Sequence, residues 1–164
     1  MNHHAKRKFE VFVGSAFKEL REARQQIINA IALAGHIPCG TELWPAETHK
    51  PITAIVGYLD FCDIHVLIVG HRYGSLAPAE PGSEAISFTH WEYNRSIEAG
   101  RPTIVFSLSE DVIKAKREEG RKDAMRRRAK ELGKPANELP ELEGEFGTVI
   151  EEKFRQFRLG LQNA

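Results

Sequence analysis

The chain has 164 residues, of which 41% are apolar and 28% are charged, a composition that fits one globular domain with its own core. Basic and acidic residues number 23 each, which excludes a general electrostatic attraction to nucleic acid or anionic lipid. Cys39 and Cys62 form no C-x-x-C pattern, so neither a disulfide framework nor a zinc motif is indicated. With no signal-peptide pattern and no apolar stretch of membrane-spanning length, we expect a cytoplasmic protein without membrane partners.

From its beginning, the chain alternates segments of strand composition with segments whose apolar residues have helical spacing. The first four predicted elements are a strand, a helix, a short strand and a helix: residues 9–13, 20–34, 36–39 and 51–59. Gly35 stands where a helix C-cap belongs, and Pro51 suits the first position of a helix. Pro38 lacks a backbone N–H, so the third element is predicted to be an edge strand.

The alternation continues through three further elements. They are a strand, a helix and a strand: residues 66–69, 89–99 and 103–106. Residues 66–69 form the most apolar run of the chain, which predicts a central strand covered on both faces, and residues 103–106 predict a second buried strand. Strands joined by helices run parallel with right-handed crossovers, so the order predicts an α/β fold with a three-layer, doubly wound parallel sheet.

Beyond the sheet, residues 110–164 predict extra C-terminal helices that belong to the same single domain as the core of residues 8–108. Residues 111–131 are strongly charged, and we interpret their basic residues as a solvated helix face, since no aromatic residues are interleaved for nucleic-acid binding. In the last helix, apolar residues form one stripe: Phe146, Ile150, Phe154, Phe157 and Leu161. The stripe either packs on the sheet or meets a partner, and the sequence leaves both open.

Ligands of open parallel sheets bind beyond the carboxyl ends of the strands. The candidate ligand contacts at these ends are Gly14, Ser15, Phe17, Gly70, Arg72 and Tyr73. Glycine lets a ligand approach the backbone, and an arginine guanidinium binds phosphate or carboxylate in a fork. Neither loop has a Walker or G-x-G-x-x-G pattern, and the two glycines are equally consistent with simple turn geometry.

Glu92 is the candidate catalytic residue. It lies near the start of the third predicted helix, where a carboxylate can face the crevice and stabilise positive charge at the anomeric carbon of a ribose. Thr89 and Glu92 also match a capping box, in which the glutamate only accepts a hydrogen bond from the backbone, and the sequence leaves both roles open. His65, inside a buried strand, is predicted to be a core histidine with its hydrogen bonds satisfied, and no set of three ligands indicates a metal site.

Four ordered segments follow one family pattern: FVGSAFKELREAR at 12–24, GHIP at 35–38, DIHVLIVGHRYGS at 63–75 and ISFTHWEY at 86–93. They resemble the TIR-like domain of unknown function found at the front of STAND-type signalling ATPases, which carry a NACHT-type nucleotide switch. The resemblance covers about residues 8–108 and implies a flavodoxin-like or TIR-like strand order. It also implies a fragment of a longer protein, with a homo-oligomer or a fused or associated NACHT-type ATPase as partner.

That family is distantly similar to TIR domains and to nucleoside 2-deoxyribosyltransferases, in which a helical glutamate lies beside the ribose whose N-glycosidic bond is cleaved. The resemblance therefore implies Glu92 as the catalytic carboxylate, NAD or a related nucleotide as the substrate, and no cofactor. The predicted substrate-binding set also includes Asp63, Ser87 and Trp91, which fall within the matched segments.

The predicted function is thus a signalling or antiviral-defence effector of innate immunity that acts as an N-glycosidase on NAD. One departure concerns the loop before the glutamate, where the transferases carry a second carboxylate followed by a Gly-Thr pair. This chain has Glu80 and Glu84 there, with Ser87 and Thr89 after them. The alternatives are a non-catalytic self-association or adaptor module and a nucleotide-sensing module of a STAND-type protein.

Overall fold

Within residues 7–16, 19–40, 52–79 and 82–162, which the computed structural model describes, the centre of the molecule is a parallel sheet of four strands. The strands are β1 (Glu10–Ser15), β2 (Ile37–Cys39), β3 (Ile64–Val69) and β4 (Thr103–Ser107). They lie in the order β2-β1-β3-β4, and each neighbouring pair is parallel. The chain winds outwards in both directions from β1 and β3, so the prediction of a doubly wound, flavodoxin-like sheet is confirmed.

Five α-helices of the described ranges flank the sheet: α1 (Arg21–Leu33), α2 (Ile52–Phe61), α3 (Phe88–Glu98), α4 (Glu110–Leu132) and α5 (Thr148–Gln162). The alternation of side chains along the strands places Val13 and Ile68 on one face, where they pack against Ile28 of α1. On the other face, α2 and α3 cover Phe12, and α4 and α5 cover Leu67. The sheet and its two helical faces form the predicted three layers.

The apolar stripe predicted for the last helix packs inside the domain, although Phe146 lies in a short 3-10 turn before α5 and not in the helix. Phe154 and Phe157 are 1% and 4% exposed, and they form one buried cluster with Leu67 and Val69 of β3. Of the two roles that the sequence left open, docking on the sheet is confirmed. The buried part of the stripe is therefore not a surface that a partner can reach.

The prediction that β4 is a buried strand is wrong for one of its faces. Ile104 and Phe106 are 49% and 51% exposed. The physical reason is position: β4 is an edge of the described sheet, and on this face α1 packs against β1 and β3. The prediction that β2 is an edge strand is confirmed, with Pro38 paired to Val11 of β1.

The helix ends follow their local signals. Gly35 and Gly100, which follow α1 and α3, adopt φ values of 84° and 64°, in the left-handed region that glycine enters without strain. Pro51, the predicted first residue of α2, lies outside the described residues. In the described part of the chain, no helix combines the length and the apolar character needed to traverse a membrane.

Candidate functional site

A cleft of about 550 Å³ lies at the carboxyl ends of β1 and β3. Its described lining includes Ser15 at the end of β1, Arg72 and Gly74 after β3, and Glu145 in the short 3-10 turn Gly144–Phe146 that precedes α5. The volume falls in the range of small-ligand sites, roughly 300–1,000 Å³. Ser15 and Arg72, two of the predicted ligand contacts, line this cleft.

Arg72 lies on the cleft wall in contact with Glu19. Glu19 Oε1 accepts a hydrogen bond from the Arg72 backbone N–H (3.0 Å), and Glu19 Oε2 is 3.1 Å from Arg72 Nε and 3.4 Å from His71 Nε2. Burial raises the pKa of the Glu19 carboxyl, while Arg72 opposes that shift. A side chain at Gly70 would overlap the Glu19 carboxylate, so Gly70 makes room for this contact and does not itself line the cleft.

Glu92 lies behind the described lining of the cleft. The residue is 6% exposed, and its Oε2 is 2.6 Å from the point where a Cβ on Gly14 would stand. His65 Nε2 is 2.8 Å from the same point. The carboxyl group therefore fills the space above the Gly14 backbone. Gly14, predicted to contact the ligand, is instead needed for this close packing.

The start of α3 decides against a capping role for Glu92. Ser87 is the N-cap, and its Oγ accepts a hydrogen bond from the His90 N–H (3.2 Å). The capping-box interpretation is wrong, because Thr89 is already helical and Glu92 lies in the second turn. Ser87 is fully buried, so this predicted substrate contact serves instead to begin the helix.

The surroundings of Glu92 disfavour its charge. Burial raises the pKa of Glu92 to about 8, and the positive charge of Arg24 opposes that shift. Arg24 of α1 is 2% exposed, and burial lowers its pKa to about 10. Arg24 Nη1 donates a hydrogen bond to Ser15 Oγ (2.9 Å). A charge interaction and a hydrogen bond thus connect the buried carboxyl group to the cleft wall.

His65 lies in the core, as the sequence predicted, but the hydrogen-bond partners expected for its ring are missing among the described residues. Its side chain is fully buried, and burial lowers its pKa to about 4. Among the described residues, neither of its ring nitrogens has a hydrogen-bond partner. Because its Nε2 approaches Gly14 from the same side as Glu92, the carboxyl group borders an uncharged imidazole.

The side chains of three other predicted contacts do not line the cleft. Tyr73 is 1% exposed, and its hydroxyl is hydrogen-bonded to His90 Nδ1 (2.9 Å), so its side chain belongs to the core. Trp91 packs against the buried cluster between α2 and β1. Asp63 lies at the opposite end of the sheet, where its Oδ2 accepts a hydrogen bond from the Glu10 N–H (2.9 Å). The structure does not bring these side chains together in the lining of the cleft.

Phe17, a predicted contact on the opposite wall, lies outside the described residues, as does Glu80. The structure adds three groups that sequence reasoning missed: Glu19, Arg24 and Glu145. Arg24 falls at the spacing of the apolar face of α1, so the sequence could have predicted its burial. No sequence pattern around Glu145 indicates its place in the cleft. Within the described ranges, no three His, Cys, Asp or Glu side chains gather so as to hold a metal ion.

Comparison with known proteins adds a family. A family model described as "Domain of unknown function (DUF4062)" matches residues 10–151. The match extends past the predicted core of residues 8–108 into α5, and it includes every described residue of the cleft lining. No curated protein and no solved structure matches the chain.

Proposed function

Since the chain belongs to the DUF4062 family, a family of unknown function, we propose a function from its own cleft: binding of an NAD-like nucleotide and cleavage of its N-glycosidic bond with the aid of Glu92. The observation that carries the proposal is a buried carboxyl group that is linked through Arg24 and Ser15 to the wall of a cleft of ligand size, and burial raises its pKa to about 8. Strongly shifted ionisable groups beside clefts are typical of catalytic sites.

The cleft wall offers groups that suit a nucleotide. The Arg72 side chain is 47% exposed, and its guanidinium can bind phosphate oxygens. Gly74 lines the cleft without a side chain, so a ligand can approach its backbone. The Ser15 hydroxyl, held by Arg24, suits a ribose hydroxyl group.

The proposed reaction breaks the bond between the ribose C1 and the base nitrogen. The bonding electrons leave with the base, which in NAD⁺ becomes neutral nicotinamide, and positive charge develops on C1. Water then attacks that carbon, and the proton that it loses passes to solvent. An ionised Glu92 stabilises the charge, and it does so more strongly in a poorly solvated site than in water. Because Glu92 is 6% exposed, its contact with a ribose requires a shift of α3 or of the end of β1.

Nicotinamide release from NAD⁺ tests the proposal. Glu92→Gln keeps the shape of the side chain and removes its charge, so we expect turnover to fall by about 100-fold or more. The matched control is Glu98→Gln, which makes the same substitution at an exposed position of the same helix and should leave turnover unchanged. Wild-type turnover in the Glu92→Gln variant would rule out the assigned role.

A nucleotide sensor without turnover is the second candidate, and the burial of Glu92 behind the cleft favours it. A sensor binds NAD⁺ in calorimetry but releases no nicotinamide, even at high protein concentration. For both candidates we expect the downstream partner to be a second copy of the chain or a NACHT-type ATPase. Size-exclusion chromatography with and without NAD⁺ measures whether the chain associates with a second copy.

A further inference from the structure

The loop after β3 presents three consecutive backbone N–H groups to carboxylates. The Arg72 N–H donates to Glu19 (3.0 Å), while those of Tyr73 and Gly74 donate to the two carboxylate oxygens of Glu145 (2.8 Å and 3.3 Å). Gly74 has a φ of 92°, a conformation that favours glycine. The two N–H groups of Tyr73 and Gly74 converge on one carboxylate, and successive N–H groups that do so form a concave anion-binding site, a nest.

Arg117 of α4 completes the surroundings of the Glu145 carboxylate. The residue is 6% exposed, and its Nη1 donates a hydrogen bond to Glu145 Oε1 (3.1 Å). Its Nε and Nη2 also bind the two carboxylate oxygens of Glu151 (3.0 Å and 3.1 Å), and Nη1 binds the His71 carbonyl (2.9 Å). The guanidinium therefore keeps other partners if the Glu145 carboxylate leaves.

The groups that hold the Glu145 carboxylate also suit a phosphate, since backbone N–H groups and a guanidinium bind either anion. The Glu145 side chain is 21% exposed and lines the cleft, so solvent and ligands reach it. Arg117 Nη2 also donates to the Glu145 backbone carbonyl (3.0 Å). A rotation of the Glu145 side chain can thus vacate the nest while the backbone of the turn stays in place.

We propose that the N–H groups of Tyr73 and Gly74, together with Arg117, form a phosphate-binding subsite that Glu145 occupies as an internal competitor until a ligand phosphate displaces it. The assignment of that phosphate to an NAD-like nucleotide rests on the proposed function, whereas the subsite itself does not. Each binding event breaks the contacts of Glu145, so the resting chain binds phosphates weakly. Glu145 in this way sets the ligand concentration at which the cleft fills.

Calorimetric titration of the whole chain with inorganic pyrophosphate tests the subsite. Glu145→Ala removes the competitor, so we expect binding at least about tenfold tighter than in the wild-type chain. The control is Glu143→Ala, which removes an exposed carboxylate near the same turn and should change the affinity by no more than about twofold. Equal or weaker binding by Glu145→Ala than by the wild-type chain overturns the proposal.

A second variant covers loss of folding in Glu145→Ala. Glu145→Gln keeps the size of the side chain, but its neutral amide binds the two N–H groups less strongly than the carboxylate does. We therefore expect pyrophosphate affinity to rise less in this variant than in Glu145→Ala. A folded Glu145→Gln variant with wild-type affinity overturns the proposal as well. Pyrophosphate has no ribose or base: tighter binding without NAD⁺ cleavage leaves the subsite standing while the proposed function fails. Cleavage of NAD⁺ by the wild-type chain, without tighter pyrophosphate binding by the Glu145 variants, supports the proposed function and overturns the subsite.

Discussion

Gly14 has no room for a side chain, because the Glu92 carboxyl group and the His65 ring both crowd its backbone. We expect Gly14→Ala to lower the free energy of unfolding by roughly 1–3 kcal/mol, the usual cost of overpacking. Gly160→Ala is the matched control, since a Cβ there meets nothing within 4 Å and the substitution favours the helix by up to about 1 kcal/mol. Urea unfolding measures both variants, and a similar effect of the two would contradict this packing.

Glu92 should make the stability of the domain depend on pH. The folded carboxyl has a pKa of about 8 and its ordinary value is 4.5, so the folded chain holds the proton more tightly than the unfolded chain. Wild-type stability should therefore fall as pH rises from about 4.5 to about 8, by an amount on the order of a few kcal/mol.

The Glu92→Gln variant has no proton to lose and should escape that fall. The gap between its free energy of unfolding and that of the wild-type chain is expected to widen between about pH 5 and about pH 9. The lowered pKa of His65 costs stability as pH falls below about 6.5, but it acts on both chains alike. A gap that stays constant with pH would mean that Glu92 is ionised and well solvated.

At the scale of elements, α5 contributes to the core. Phe154 is 1% exposed, so Phe154→Ala should lower the free energy of unfolding by about 3–5 kcal/mol. Phe61→Ala makes the same substitution at a position of α2 that is 82% exposed, and it should change stability by no more than about 0.5 kcal/mol. Thermal unfolding separates the two. Equal stability of both variants would contradict the packing of α5 in the core and would favour its role as a surface that binds a partner.

The sequence predicted an element well where the composition of that element alone indicates how deeply it is buried. Residues 66–69 are apolar at every position because β3 is covered on both faces. The apolar composition of β4 gave the same prediction, but its place at the edge depends on strand order, which no local pattern contains. Ser87 and Thr89 are both good N-caps, and only the packing of α3 decides which of them begins the helix.

At the scale of the whole molecule, the cleft joins parts of the chain that are distant in sequence. The carboxyl ends of β1 and β3 were predictable, because parallel topology brings strand ends together. Glu145 lies 72 residues after Tyr73 and 71 after Gly74, yet its carboxylate accepts their N–H groups, and Arg117 of α4 binds the same carboxylate. Such contacts leave no periodic signal, so the charged C-terminal part was interpreted only as solvated helix.

The proposed role of Glu92 is to assist, in its ionised form, the cleavage of an NAD-like nucleotide in this cleft. The most direct test is the pH profile of kcat/KM for nicotinamide release, because kcat/KM reports the ionisation of the free enzyme. We expect a rate that rises with pH and levels off above about 8, together with a low, flat profile for Glu92→Gln. A wild-type profile that is flat or falls across that range, or an unchanged profile in the variant, would contradict it.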